Sequence, residues 1–407
     1  MIHSKSTYPR IFPWNRNVTP TQIDRVQDLG GDFTANIEKL YEIGRDGKLG
    51  TKKGTPSFAY SMTQFEYGSM AFWRQIAGME DPASDSLDNS VDLDDLKTSI
   101  FDITAYLTDD DTTFRGTIWF PKLRTNGFSI NVGDPDATAM RSFDLVGEDY
   151  KILDAKYFSF EQETALADAP LEVTLDPVPI LWAASSYILR VLRVRDEEVS
   201  EITEDVGAGI NTWAYDNVTK VVTVQTCEIN DIVKVYYPSD TAYTTLWNDN
   251  NETDALEANS VKVELQVGVG AAARVYRIQS VNIDVAFDRA DYKEIGNREV
   301  VQTGVKSKTT TITLGRSLED FTIEEILRGT SIYPYIDLRN LSEEITLRVK
   351  IYEDYTMDGN FKIGYKVTGL STTTLATADA VEDYATQDNS LESDNLMVSD
   401  DESEIDA

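Results

Sequence analysis

The sequence repeats one alternating pattern after 252 residues, and this repeat constrains the fold more than any other feature. Residues 26–51 (VQDLGGDFTANIEKLYEIGRDGKLGT) align without a gap with residues 278–303 (IQSVNIDVAFDRADYKEIGNREVVQT). In both copies apolar residues alternate with small or polar ones, as Leu29 and Phe33 show in the first copy and Ile283 in the second. A period of two is typical of a strand with one face on a core and the other in water. The sequence therefore predicts the same half-buried strand twice.

The next strand in each copy alternates in the same way. SFAYSMTQ (57–64) and SKTTTITL (307–314) each place larger apolar residues on one face and small, mostly hydroxyl-bearing residues on the other. Each copy thus predicts a long two-stranded ribbon with one small, polar, carboxylate-dotted face. The residues predicted for this face are Asp32, Thr34, Asn36, Ser57, Ser61, Thr63, Ser280, Asn282, Asp284, Asp288, Ser307, Thr309, Thr311 and Thr313.

A short helix candidate follows each ribbon, at residues 66–78 and 317–329, and further alternating strands follow each helix. The predicted fold class is mainly β, with two homologous β-sandwich or barrel modules, each with a short helix and a long hairpin, and a small intervening β domain. The predicted boundaries are 1–155 for the first module with an exposed acidic loop at 80–96, 166–242 for the intervening domain, 243–399 for the second module, and 400–407 for an acidic end that would be disordered on its own.

The chain is strongly acidic. It has 70 acidic and 37 basic residues, and its formal net charge is −33. Such a charge argues against a grip on DNA or on an anionic membrane, because their phosphates would be repelled. Three interpretations stay open: a surface that stays hydrated in high salt, an acidic wall that nucleic acid passes without sticking, and solubility alone. No stretch approaches the roughly 18 apolar residues that cross a bilayer, so membrane insertion is not expected.

Catalytic patterns are weak. His3 is the only histidine and lies near the N-terminus, so neither a Ser-His-Asp triad nor a histidine-based metal centre can be assembled. Cys227 lies in the strand-like stretch VTVQTCEI and is interpreted as a small packed residue. The stretch GVGAAA (268–273) fits a turn better than a phosphate-binding loop. We therefore predict neither an enzyme nor a cofactor.

Calcium binding stays open as a secondary possibility. TDDDTT (108–113) and NDNNETD (248–254) are rich in oxygen ligands. Both lack the central glycine and the terminal glutamate of a helix–loop–helix calcium site, so solvated acidic loops are the favoured interpretation.

A long β-ribbon, a short helix and a closing strand such as RSFDLVGE (141–148) together resemble the tail tube proteins of long-tailed viruses. The resemblance covers residues 15–155 and 273–399 and rests on the pattern and order of elements. It implies rings of six modules, so a doubled chain such as this one would form a homotrimeric ring with pseudo-sixfold symmetry. Stacked rings would form the conduit through which the genome is ejected into the host.

The resemblance also implies a location and partners. The protein would lie in the virion tail, with the polar ribbon face lining the lumen and double-stranded DNA passing without specific binding. Other tail proteins would contact the tube ends, the 166–242 domain would lie outside the tube, and the acidic charge would suit a halophilic host. The alternative interpretation is a virion or cell-surface β protein that binds a host glycan or receptor through residues 166–242.

Overall fold

Strands dominate the computed structural model of the chain. The structure describes residues 7–14, 20–34, 37–40, 50–53, 57–79, 90–109, 113–133, 136–147, 151–182, 185–186, 188–196, 198–204, 212–242, 255–292, 302–318, 322–328, 345–357, 359–378 and 385–407. The elements up to residue 154 are β1 (Thr7–Pro13), β2 (Thr21–Gln22), β3 (Val26–Thr34), β4 (Ile37–Leu40), β5 (Gly50–Lys53), β6 (Ser57–Phe65), α1 (Ala71–Ala77), β7 (Ser90–Asp92), α2 (Leu93–Thr98), β8 (Phe101–Asp109), β9 (Thr113–Val132), β10 (Met140–Gly147) and β11 (Lys151–Asp154).

The rest of the chain forms a middle unit and a second set of long strands. The middle unit consists of β12 (Tyr157–Thr164), β13 (Leu171–Thr174), β14 (Leu181–Trp182), β15 (Ser185–Ser186), β16 (Arg190–Arg195), β17 (Glu198–Glu201), β18 (Thr203–Glu204), β19 (Thr212–Asp216), β20 (Val221–Val224) and β21 (Ile232–Ser239). The last part contains β22 (Val261–Val267), β23 (Ala273–Arg274), β24 (Ile278–Tyr292), β25 (Gln302–Ser317), α3 (Thr322–Arg328), β26 (Ile345–Tyr352), β27 (Phe361–Ala378), β28 (Thr386–Ser393), β29 (Met397–Ser399) and α4 (Glu402–Asp406).

Eight antiparallel strands form one continuous sheet, which we call the eight-stranded sheet. Their spatial order is β3, β6, β10, β9, β24, β25, β28 and β27. The first four strands (the first group) and the last four (the second group) follow the same order, in which the fourth strand along the chain lies between the second and the third. The groups join edge to edge through β9 and β24, where Ile130 lies opposite Ile283.

The two groups repeat their irregularities as well as their order. A bulge follows Val26 in β3 and Ile278 in β24, at positions 252 residues apart. The residues just before them, Arg25 and Arg277, both have a positive φ, of 57° and 64°. Non-glycine residues rarely adopt this conformation. The same unusual backbone therefore starts both ribbons.

β9 and β27 each belong to two sheets. They pass from a flanking sheet into the eight-stranded sheet near a residue with positive φ, Lys122 at 55° and Gly369 at 65°. The first flanking sheet has the order β2, β1, β8, β9, β11, and the second has the order β23, β22, β26, β27, β29. β7 extends the second flanking sheet, with Val91 opposite Val398, although it comes from the first part of the chain.

One hydrophobic core lies between the eight-stranded sheet and the flanking sheets, and it spans both halves. The alternation of ITLRVKIY turns Leu347 and Val349 of β26 into it. α1 contributes Trp73, which is fully buried and meets Phe128 and Phe143 edge-on, at centroid distances of 5.0 and 5.2 Å. Burial of each such ring stabilises the fold by about 2–3 kcal/mol. The helix therefore fixes the apolar face of the eight-stranded sheet.

The middle unit has two four-stranded sheets with a core of their own. It includes β12, which precedes residue 166, where the sequence predicted the domain to begin, and which pairs along its length with β21. An aromatic cluster joins the unit to the first flanking sheet. Because Ile11 of β1 lies in the main core and Phe12 lies in this cluster, the middle unit covers the face of that sheet that is turned away from the core.

The structure corrects the prediction of an acidic loop at 80–96. Residues 90–98 form β7 and α2, whereas residues 80–89 lie outside the described residues. Asp92 begins α2 as its N-cap, since its carboxylate accepts hydrogen bonds from the Asp94 and Asp95 backbone N–H groups. The acidic composition of this stretch therefore did not indicate that a helix begins at Asp92.

The acidic C-terminal segment is ordered by packing. α4 lies on the second flanking sheet with Ile405 fully buried. A Cβ at position 364 would lie only 2.7 Å from Ile405 Cγ1, so Gly364 provides the space for this side chain. The segment expected to be disordered on its own thus forms a helix against the sheet.

The prediction of a mainly β fold is confirmed. The helices predicted after each ribbon are α1 and α3, and both are shorter than the predicted ranges. Among the described residues, no helix has the length and apolar character needed to span a membrane.

Candidate functional site

The candidate functional site is the polar face of the eight-stranded sheet. One row of direct cross-strand neighbours crosses all eight strands, and every member is polar. The row consists of Asp28, Thr63, Ser142, Ser129, Asp284, Thr311, Glu392 and Ser371. The next positions along the strands, such as Met62, Phe128 and Val285, are buried in the core. Strand alternation alone therefore separates a polar face from an apolar one.

Most residues predicted for the polar face lie together on it. Those described are exposed or partly exposed: Asp32, Thr34, Ser61, Thr63, Ser280, Asn282, Asp284, Asp288, Ser307, Thr309, Thr311 and Thr313. Ser57 lies opposite Thr34 in the pairing of β3 with β6, but its side chain is outside the described part of the structure. Asn36 lies outside the described residues.

The ribbons supply only half of the polar face. β9, β10, β27 and β28 supply the other half, which the sequence prediction missed. Their contributions include Ser129, Asn131, Ser142, Asp144, Asp388, Ser390 and Glu392. A signal was present, because GFSINV (127–132) and RSFDLV (141–146) alternate polar with apolar residues much as the ribbons do.

A shallow depression lies where β9 meets β24. Its volume is about 290 Å³, and Ser129, Ser142, Asp284 and Thr309 are among the residues that line it. At Gly127 a Cβ would lie 2.6 Å from the Val285 backbone O, so glycine allows the two strands to approach closely. The junction between the two groups is thus a small-residue seam on the polar face.

Carboxylates are prominent on this face, and Arg124 of β9 lies on it as well. The carboxylates are Asp28, Asp32, Asp144, Asp284, Asp288, Asp388 and Glu392. Partial burial raises the pKa of Asp284, and a hydrogen bond that Asn282 Nδ2 donates to it at 2.5 Å opposes that shift. The Thr63 and Ser142 hydroxyl oxygens lie 3.3 Å apart and are hydrogen-bonded across β6 and β10. The face therefore offers short side chains and negative charge.

Cations of the second group bind acceptors of the first half of the chain and so hold the seam together. Arg289 Nε donates to the Thr125 backbone O at 2.9 Å, and its Nη2 donates to the Lys97 backbone O at 3.2 Å. Burial lowers the pKa of Arg289 to about 10. Lys308 Nζ lies 2.9 Å from Asp94 Oδ2. The orientation of one group relative to the other is therefore fixed by side chains as well as by the β-ladder.

The residues considered for other chemistry lie elsewhere. Cys227 is buried in the middle unit, and burial raises the pKa of its thiol. In the first candidate calcium stretch Asp109 is paired with Arg115, while residues 110–112 lie outside the described residues. The second stretch, 248–254, and His3 also lie outside them.

No family model matches the chain, and no curated protein does. Among solved structures, the chain is similar to one chain of the baseplate of the anti-feeding prophage, from a sixfold-symmetrised cryo-EM structure. The alignment covers 36% of this chain and 92% of that one, at 13% sequence identity and a TM-score of 0.27. These values are too low for the match to show a shared fold.

Proposed function

We propose that the chain is the major tube subunit of a virus tail, a structural virion protein whose copies close into rings that stack into a conduit for double-stranded DNA. The supporting observation is the continuous eight-stranded sheet, in which two groups of the same topology share one polar face. The pattern and order of elements resemble the doubled form of tail tube proteins, as the sequence indicated.

The sheet geometry favours three copies in a ring. Strands about 4.8 Å apart and tilted by about 40° would give 24 strands a barrel diameter of roughly 48 Å, and 16 strands roughly 32 Å. Side chains extend inward by about 5 Å, half the spacing of packed sheets, which leaves bores of about 38 and 22 Å. The wider bore accommodates a DNA duplex together with its water, and the narrower one does not. A homotrimer with pseudo-sixfold symmetry is therefore the proposed ring.

The polar face suits passage of DNA without binding. Asp32, Asp284 and Asp288 repel phosphate, and short hydroxyl side chains leave few long donors that could hold it. Closure of the sheet would also remove its open edges, which otherwise invite aggregation. The middle unit would lie outside the tube, because it covers the side of the first flanking sheet that is turned away from the core. Other tail proteins would contact the tube ends.

Electron microscopy of the purified full chain tests this proposal. We expect hollow rings or stacked tubes with a central hole, with three copies in each ring. The decisive measurement is imaging over a series of protein and salt concentrations, combined with the mass of the assembly in solution. Compact monomers at every concentration and salt would contradict the tube function and favour a recognition role of the middle unit.

The polar face is tested separately in virions. The double substitution Asp284→Lys and Asp288→Lys should leave tubes assembled but slow genome ejection, because two lysines in each copy would attract phosphate in the bore. Glu198→Lys in the middle unit is the matched control, since its side chain is exposed and would lie outside the tube. Equal ejection rates for both variants would show that this face does not line the channel.

A further inference from the structure

We propose that neighbouring copies of the chain pair the free edge of β27 with the free edge of β3, in the register that β9 and β24 use within one chain. This inference rests on the proposed ring assembly and names the contact that would build it. Among the described strands, the far edge of β3 and the far edge of the inner half of β27 have no strand partner.

The structure shows which strands correspond. β27 corresponds to β9 in two respects. Gly369 and Lys122 have positive φ where the two strands bend from a flanking sheet into the eight-stranded sheet. Thr372 comes directly before a bulge of β27 against β28, and Thr125 comes directly before a bulge of β9 against β10. These pairs are both 247 residues apart. β3 corresponds to β24 through the shared bulge and the positive φ at the start of each ribbon. β9 paired with β24 is therefore an internal copy of β27 paired with β3.

Transfer of the internal register gives specific pairs between copies. Ser129 opposite Asp284 corresponds to Ala376 opposite Asp32, and Ile130 opposite Ile283 corresponds to Thr377 opposite Gly31. The polar face would continue across the new seam, since both Ala376 and Asp32 are exposed.

The proposed pairing of β27 with β3 cannot extend as far along the strand as the pairing of β9 with β24 does. Thr374 stands where the first group has Gly127, and a Cβ at Gly127 would lie 2.6 Å from the Val285 backbone O. A threonine cannot approach the neighbouring backbone so closely. The ladder between copies should therefore run from Ala378 to Leu375 and diverge before Thr374.

An exposed apolar residue on the first flanking sheet supports the same contact between neighbouring copies. β11 and β29 correspond, because each follows the last strand of its group and pairs with the outer half of β9 or β27. Val398 of β29 is 1% exposed and lies opposite Val91 of β7, and both belong to the main core. The corresponding Ile152 of β11 is 63% exposed. A neighbouring copy that lies against the first group as the first half of the chain lies against the second group would cover Ile152.

The contact is heterologous, since one edge is β27 and the other is β3. A head-to-tail contact of this type forms a ring when the rotation closes and an open filament when it does not. If neighbouring copies repeat the contact that joins β9 to β24 within the chain, each further copy adds the same rotation. In the proposed ring, the free edge of β27 in the third copy would meet the free edge of β3 in the first.

Disulfide trapping tests the register. The double variant Ala376→Cys with Asp32→Cys should form a disulfide between copies under mild oxidation, because directly opposed residues lie about 4.5–5.5 Å apart at Cα. The control, Ala376→Cys with Thr34→Cys, is displaced by two residues, about 7–8 Å apart, and should cross-link at least tenfold more slowly. Cys227 is buried and leaves the measurement undisturbed.

The outcomes separate the seam from the tube. A cross-linked ladder that ends at three copies, in rings seen by microscopy, supports both. Rings in which only the displaced pair cross-links, or neither pair does, overturn the register but leave the tube function standing. A chain that stays monomeric and uncross-linked overturns both.

Ile152→Asp provides a second measurement that does not depend on cysteines. The monomer should stay folded because the side chain is already exposed, whereas the concentration needed for ring assembly should rise about tenfold to a hundredfold, as expected for loss of one buried apolar side chain. Val218→Asp is the matched control, because Val218 is 88% exposed on a hairpin turn of the middle unit. Equal assembly of the two variants would overturn the proposed cover of Ile152.

Discussion

The first and second flanking sheets share a strand order, but their outward faces carry opposite chemistry. The outward face of the first is aromatic, with Trp119 and Tyr106, and the aromatic middle unit covers it. The outward face of the second is cationic, with Arg348 and Lys350, and the acidic helix α4 covers it. The comparison shows that the core-facing pattern sets the fold, while the outward residues decide what covers each flanking sheet.

We call the aromatic contact between the middle unit and the first flanking sheet the aromatic cover, and it excludes water. Phe12 meets Phe158 edge-on at 5.0 Å, and Phe158 lies 5.2 Å from Trp119. The buried carboxylate of Asp102 accepts hydrogen bonds from Trp14 Nε1 at 2.9 Å and from Trp119 Nε1 at 3.0 Å. Such a contact depends on packing and on buried hydrogen bonds, so dissolved salt has little effect on it.

We call the contact of α4 with Arg348 and Lys350 the ionic cover, and it stays in contact with water. Lys350 Nζ lies 2.6 Å from Asp406 Oδ1 and 3.1 Å from Glu402 Oε1, and both carboxylate side chains are more than a third exposed. Arg348 Nε donates to the Ile405 backbone O at 2.7 Å, at the end of α4 where a helix favours positive charge. Salt should therefore act on α4 more than on the middle unit.

The largest expected effect is on the aromatic cover. Phe158→Ala should lower the free energy of unfolding by about 3–5 kcal/mol, because a fully buried ring is removed and a cavity remains. Denaturant unfolding in dilute and molar NaCl measures the loss, which should be the same in both. Tyr355→Ala is the control with nearly no effect, since Tyr355 is 75% exposed. A loss that disappears in high salt would show that the cover is electrostatic after all.

Local patterns predicted the fold but not the covers. The alternation in LRVKIY (347–352) is typical of a strand, yet the α4 carboxylates that bind Lys350 come about 50 residues later, in a segment whose composition indicates disorder. Asp102 in FDITAYL looks like an ordinary strand residue, because Trp14, Trp119 and Arg190 reach it from three separate segments.

The candidate site likewise has one part that local sequence patterns predict and another that they do not. The polar faces of the ribbons follow from a period of two, which is local. The contact of Ser129 with Asp284 joins strands far apart in the sequence, and no local pattern specifies which edge meets which. The middle unit's start at β12 was likewise hidden, because β12 is recognised as part of it only by its pairing with β21.

The second prediction concerns pH and the buried amine of the aromatic cover. Lys234 is fully buried and donates to the Pro13 backbone O at 2.7 Å, and burial lowers its pKa to about 7, with Asp102 opposing the shift. Between pH 7 and 10.5 the unfolded chain therefore binds a proton that the folded chain lacks, so the free energy of unfolding should rise with pH by about 1.4 kcal/mol per unit. Below pH 7 both states are protonated, and this contribution stays constant.

The measurement is the difference between the wild type and Lys234→Met at pH 7.5 and at pH 9.5. Because other groups titrate in both proteins, their contributions cancel in this difference. The wild type should gain about 2–3 kcal/mol relative to the variant over this interval. A difference that stays flat would mean that Lys234 keeps its proton, and that the cover tolerates a buried charge.

The smallest expected effect is on the ionic cover. Lys350→Met should weaken the docking of α4 by about 1–2 kcal/mol, because Glu402 and Asp406 can return to water when their partner is lost. Burial lowers the pKa of Lys350, but the hydrogen bonds that its Nζ donates to Asp406 and Glu402 outweigh burial and raise the pKa overall. In the wild type this contribution is therefore complete below pH 10.5 and is lost as pH rises through the raised pKa. Hydrogen exchange of the Ile405 and Ala407 amides, which donate within α4, reports the docking directly. In the wild type, molar NaCl should accelerate this exchange by screening the ion pairs, and in Lys350→Met salt should change it little. Equal salt dependence in the two proteins would mean that the burial of Ile405, and not charge, holds α4, and the two covers would then be held by the same force.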